Sequence, residues 1–233
     1  MSYIRVNINV PDIKASFPDY NKPAYKVANI KMIQKINTTY GQYFEFWGQV
    51  FEIPKGVLIG FAATESAGTM APPNKYKATG LMQVTPSAIY ECARKWNVEV
   101  SSDLPSEALS VINSKIPSLL VKSTTLSSVN AKLLQLLQND ANFNIMAGSL
   151  CLRWLIERFS TFLTGGQLNK AMVAYNAGAY TKSISNGTKA NKIPIDSTSL
   201  SQNKLVPNQS KGYLLKMLGI DGFLAIIFKD KVI

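Results

Sequence analysis

Glu65 is the side chain of this sequence best placed to do chemistry. Pro54 suits the first turn of a helix in which Leu58, Phe61 and Ala62 share one face, and Glu65 falls on the same stripe one turn later. A Gly- and Pro-containing loop, SAGTMAPPNKYKATG, follows at once. A carboxyl at the end of an apolar stripe is partly desolvated, which disfavours its charged form and raises its pKa. An acid still protonated near neutral pH can give its proton to the leaving oxygen of a glycosidic bond. The same spacing also suits a glutamate near a helix C-terminus that is exposed or paired with a lysine, and spacing alone leaves both readings open. The nearest other acids in sequence, Glu52, Glu91 and Asp140, belong to no motif and read as surface or capping residues.

Composition narrows the chemistry further. The 233 residues contain no histidine. That zero excludes a Ser-His-Asp triad, a Cys-His protease, an HExxH zinc site and a His-ligated amidase. Catalysis must then rest on carboxylates, hydroxyls, lysine, tyrosine or the two cysteines. Cys92 and Cys151 have no CxxC spacing and are too few for a metal site. Free thiols and a disulfide both stay open, and a catalytic thiol would lack a histidine to activate it. Neither a metal nor a cofactor is expected. Lys plus Arg number 25 against 14 acids, a formal net charge of +11. The lysines are scattered among Asn, Ser and Thr, which suits a solvated basic surface or attraction to an anionic polymer such as nucleic acid or bacterial cell wall.

Three motifs in order change the weight on Glu65. Glu65-Ser66, then Gly80-Leu81-Met82-Gln83 with Pro86 after it, then Ala174-Tyr175-Asn176-Ala177-Gly178 resemble the lytic transglycosylases of the soluble-lytic, goose-type-lysozyme-like kind, the SLT domain. Two weaker matches agree: DANFNIMAGSLCL, with Asn144, Ile145, Gly148 and Leu150, and the segment Pro207 to Leu218 with Tyr213. The likeness spans about Tyr40 to Leu218.

The resemblance implies a mainly α, lysozyme-like helical domain, α+β at most, with a substrate cleft. It implies that Glu65 is the single catalytic acid and base, and that Ser66 contacts the substrate near the cut bond. Met82 and Gln83 would line the cleft, with Gly80 beside them. Tyr175 would hold Glu65 through its hydroxyl, Asn176 would bind saccharide, Ala177 and Gly178 would let the backbone approach, and Tyr213 would be a cleft wall. Core packing remains the other reading for Met82 and for Tyr175, and unusual backbone angles for Gly80 and Gly178. The implied reaction is non-hydrolytic cleavage of peptidoglycan between N-acetylmuramic acid and N-acetylglucosamine, leaving a 1,6-anhydromuramoyl end. Such chemistry needs one carboxylate, whereas hydrolysis uses a pair. The alternatives are a true lysozyme on the same fold and a catalytically silent, wall-binding virion protein. Specific nucleic-acid binding would explain only the charge.

Several elements must position these groups. Residues 1–40 read as an N-terminal arm and first helix, and residues 41–233 as the lysozyme-like domain, with a probable insertion at about 101–135 made of short helices and loops. Val27, Ile30, Ile33 and Ile36 fit a helix from Tyr25 to Val50. Further helices are expected from about Pro86, over Asn130–Phe162 with a break around Asn139–Asn142 and a Gly165-Gly166 C-cap, from Asn169 into AYNAG, and over Lys211–Leu218. A long Ser/Asn/Lys/Thr-rich loop is expected at 181–210, and Gly222 to Phe228 as a buried terminal element. No stretch reaches the roughly 18 apolar residues of a membrane span. MSYIRVNINVPDIK lacks the apolar core of a secretory signal. This suits a phage-encoded enzyme, virion-associated or held in the host cytoplasm before release, acting on the wall in the periplasm with other virion proteins as candidate partners.

Overall fold

A computed structural model describes residues 23–99, 103–158, 167–178, 208–219 and 221–233. Among them the helices are α1 (Pro23–Val50), α2 (Lys55–Ser66), α3 (Pro86–Glu99), α4 (Ser106–Lys115), α5 (Leu126–Asn139), α6 (Ala141–Arg158), α7 (Gln167–Ala177), α8 (Asn208–Leu218) and α9 (Phe223–Lys229). A 3-10 turn, Pro117–Leu120, joins α4 to α5. No strand forms among the described residues, and a single antiparallel bridge pairs Thr79 with Val84. The chain is mainly α, as its periodicity predicts.

Helix α2 is the axis of the molecule because it is apolar all round. Every residue from Gly56 to Ala63 is buried. Helix α1 covers one side, and α8 and α9 cover another. Two glycines let α9 lie against the α2 backbone: a Cβ at Gly56 would stand 2.6 Å from Ile227, and one at Gly60 would stand 2.5 Å from Leu224. Pro54 sits just outside α2 as its N-cap residue, one position earlier than the first turn its sequence suggests. The helix stops in a left-handed turn, with Ala67 at φ 53° and Gly68 at φ 72°. Their N–H groups return to the carbonyls of Ala63 and Ala62, so the last turn is closed and Glu65 is held at a fixed height.

Helix α1 runs unbroken through residue 40, as the helix expected from Tyr25 to Val50 requires. Its Ile33, Ile36, Phe44 and Trp47 are buried, and the Trp47 Nε1–H donates to Asn142 Oδ1 at 2.7 Å, tying α1 to α6. Val27 is 54% exposed and does not continue that stripe. In the segment 101–135, α4 packs on the 3-10 turn, the turn on α3, and α5 on α3 and α6, burying Ile112, Leu119 and Leu133. The expected break falls at Asp140, whose Oδ1 accepts the Phe143 N–H at 2.9 Å and starts α6. Cys92 and Cys151 are both buried, and Cys151 is a free thiol. The chain before Pro23, the Gly165-Gly166 cap and residues 181–207 lie outside the described residues, while Asn208 to Ser210 belong to α8.

Candidate active site

The carboxyl of Glu65 stands over an aromatic seat. One turn below it on α2, the Phe61 ring meets Tyr175 of α7 edge-on at 5.0 Å and Tyr213 of α8 edge-on at 6.1 Å. Phe61 is fully buried. Burial in these surroundings raises the Glu65 pKa from 4.5 to about 7, even though the Tyr213 hydroxyl and the positive charge of Lys216 pull it down. The Tyr213 hydroxyl faces the carboxyl outside ideal hydrogen-bond geometry, and among the described residues it has no other partner. Burial first, and then the nearby Glu65 charge, hold both phenols, Tyr175 and Tyr213, well above the ordinary tyrosine value.

Tyr175 corrects one expectation. Its hydroxyl donates to the Met82 carbonyl at 2.7 Å, so its proton is committed to the Gly80–Gln83 turn and not to Glu65. Tyr213 is the phenol that acts on the acid. Met82 corrects another: its side chain is fully buried against Gly148, where an added Cβ would come within 2.5 Å of it, so it packs core instead of lining a cleft.

The Gly80–Gln83 turn is built by its neighbours. Thr79 and Val84 close it, with the Thr79 N–H reaching the Val84 carbonyl at 3.2 Å. Gly80 has φ +76°, and a Cβ there would lie 2.1 Å from Asn144 Nδ2, so both the angle and the space demand glycine. Gln83 also takes a positive φ, 47°, and its Nε2 donates to the Gly80 carbonyl at 3.0 Å. Asn144 on α6 is fully buried and satisfied. Its Oδ1 accepts the Met82 N–H at 2.8 Å, and its Nδ2 donates to the carbonyls of Leu137 at 2.9 Å and Thr79 at 3.0 Å. Ser66 joins turn to acid: its hydroxyl lies 2.8 Å from the Leu81 carbonyl and 3.1 Å from that of Ala62.

At the end of α7, the Asn176 Oδ1 accepts the hydroxyl of buried Ser210 at 3.0 Å, which leaves its amide N–H groups for other use. Ala177 is half-buried against the core, and Gly178 turns away at φ +88°. Glu65 and Ser66 also border a cavity of about 510 Å3 whose far walls come from Tyr25, Asn29 and Met32 of α1 and from Leu215, Lys216 and Phe223. Gly80, Met82, Gln83, Tyr175 and Asn176 do not line it. The sequence reading missed Lys216 and the α1 wall. Lys216 was findable, since it lies three residues after Tyr213 and so on the same side of α8.

The other acids near in sequence are occupied elsewhere. Glu52 pairs with Arg153 at 3.3 Å and Glu91 with Lys95 at 2.7 Å. Burial alone would raise Asp140, but Lys115 at 2.7 Å and the Phe143 and Asn142 N–H groups hold its carboxyl below the ordinary range.

Residues 42–114 match the family model described as the Transglycosylase SLT domain. That segment supports a place for the chain among the lytic transglycosylases. Members of the SLT family are glycan-cleaving lytic transglycosylases, lyases that address peptidoglycan, and the mainly α structure of the described residues is consistent with their lysozyme-like fold. No curated protein and no solved structure matches the chain. The matched SLT segment contains Glu65, Ser66, Gly80, Met82 and Gln83; Tyr175, Asn176, Ala177 and Tyr213 join it through the fold. No described helix is long and apolar enough to cross a membrane.

Proposed function

We propose that Glu65 is the sole acid and base in cleavage of the β-1,4 bond between N-acetylmuramic acid and N-acetylglucosamine. The reading is carried by one observation, a carboxyl with a pKa of about 7 on the rim of a cavity. Near neutral pH such a group is present in both forms, which is what a residue that must first give and then take a proton requires. Protonated Glu65 donates to the bridging oxygen as the glycosidic bond breaks. The substrate's own N-acetyl oxygen assists at the anomeric carbon. The resulting carboxylate then takes the proton of the muramoyl 6-hydroxyl, whose oxygen attacks the same carbon and closes a 1,6-anhydro ring. No water is consumed, and Glu65 ends protonated as it began.

Among the described residues no other carboxylate figures in the groups that set the Glu65 pKa, which supports a one-acid mechanism over the paired carboxylates of hydrolysis. A hydrolytic reading has one observation in its favour: Asp221 borders the same cavity. Mass spectrometry of products from purified sacculi separates the two. Anhydromuramoyl ends, absent with Glu65→Gln and still formed by Asp221→Asn, are expected. Reducing ends, or loss of product with Asp221→Asn, would favour hydrolysis with Asp221 as the second acid.

A further inference from the structure

The cavity beside Glu65 has a composition that the reaction alone does not explain. It directly adjoins the acid, so whatever enters it is the part of the substrate next to the bond being cut. Its volume of about 510 Å3 is that of an ordinary ligand site. Its walls are largely apolar, with Tyr25, Met32, Leu215 and Phe223 among them, and Lys216 stands on its rim as its cation. Lys216 is exposed and, like several other described lysines, forms no ion pair among the described residues; what sets it apart is its place on the cavity rim beside Glu65. Asp221, the acid across the cavity, acts on Lys26, which is itself paired with Asp230 at 2.6 Å; the Asp221 carbonyl also accepts Asn29 Nδ2 at 3.0 Å.

We propose that this cavity is a subsite for the carboxylate-bearing lactyl arm of the muramoyl sugar, with Lys216 as its cation and the first turns of α1 as its apolar wall. The proposal rests on the peptidoglycan reading above. The sugar rings of the glycan are neutral, and near the scissile bond the lactyl arm alone offers both an apolar methyl and a carboxylate, its own or that of an attached peptide. An apolar wall lowers the local dielectric and strengthens a lysine–carboxylate pair. Glu65 in its acid form is neutral and does not oppose the incoming charge. Tyr25, Asn29 and Met32 precede residue 42, where the family match begins, so this wall is a feature of the chain outside the matched segment.

The test compares kcat/KM on peptide-bearing strands and on amidase-stripped strands, each with carboxylates free or converted to methylamides. Wild type should favour the free carboxylates about 5-fold, Lys216→Arg should keep the preference, and Lys216→Met should bring the ratio near one. A ratio, unlike a rate, cancels any effect of Lys216 on Glu65 itself. A preference in stripped strands identifies the lactyl carboxylate; a preference confined to peptide-bearing strands identifies the peptide's. The proposal is overturned if wild type shows no preference in either series, or if the preference survives in Lys216→Met. A wild type that cleaves no strand at all would instead sink the peptidoglycan reading on which the proposal rests.

Discussion

Two halves of the site, joined by the Ser66 hydroxyl, are built in opposite ways. On one side, the Gly80–Gln83 turn is over-determined. The Asn144 amide makes three hydrogen bonds, Gly80 and Gly148 leave no room for a methyl, and Tyr175 caps the Met82 carbonyl. On the other side, Glu65 is half-buried one turn beyond Phe61, and among the described residues its phenol neighbour Tyr213 has no well-formed bond and Lys216, at the rim, no ion pair. A satisfied buried polar network rigidifies, and an unsatisfied buried acid costs stability in its charged form. The contrast separates scaffold from reagent. The turn holds the end of α2 in place so that the acid can remain ready to exchange a proton.

The sharpest way to break that division is to disturb the scaffold without touching the acid. Gly80→Ala would force a left-handed angle on alanine and drive a methyl to within 2.1 Å of Asn144 Nδ2. The Asn144 bonds would be lost with it, and a destabilisation of about 3 kcal/mol or more is expected. Urea denaturation measures it. A loss under about 1 kcal/mol would mean the turn tolerates relaxation and is not the rigid half.

Removing the reagent should do the reverse. The folded pKa of Glu65, about 7, lies above its ordinary 4.5. Between those values the unfolded chain has released the proton that the folded chain still holds. Folding stability therefore falls as pH rises from about 4.5 to 7 and stays reduced above that. Glu65→Gln cannot ionise and escapes the penalty, so above pH 7 it should be more stable than wild type by about 3 kcal/mol, and the gap should close below pH 5. Thermal unfolding across that range checks the sign. A variant less stable than wild type at pH 8 would mean that the charged carboxylate is well solvated and the reagent half is not strained.

How much of this was legible in sequence follows the same division. Phe61 and Glu65 share a stripe at helical spacing, so the seat of the acid and the direction of its pKa shift were readable from residue types and spacing alone. The helix break at Asp140 and the buried Phe223–Ile227 segment were readable for the same reason: local pattern decides them. The bonds of the turn were not, because Asn144 meets Met82 across 62 residues and no periodicity reports a contact at that range. The same limit assigned the wrong partner to Tyr175, whose hydroxyl reaches the Met82 carbonyl across 93 residues.

The finest test of the comparison lies at the seam between Tyr213 and Glu65. The Tyr213 hydroxyl lowers the acid's pKa against the larger, raising effect of burial. Tyr213→Phe keeps the ring edge-on to Phe61 and removes only that hydroxyl, so the Glu65 pKa should move further up. The acid must be protonated for the first step, so wild-type kcat/KM should fall above pH about 7, and in Tyr213→Phe this alkaline limb should shift to higher pH by less than about one unit. A purely structural role would lower the rate at every pH and leave the limb in place. A shift to lower pH would mean that the hydroxyl stabilises the protonated acid. Tyr213 would then belong to the satisfied, rigid half of the site and not to the half held ready for proton transfer.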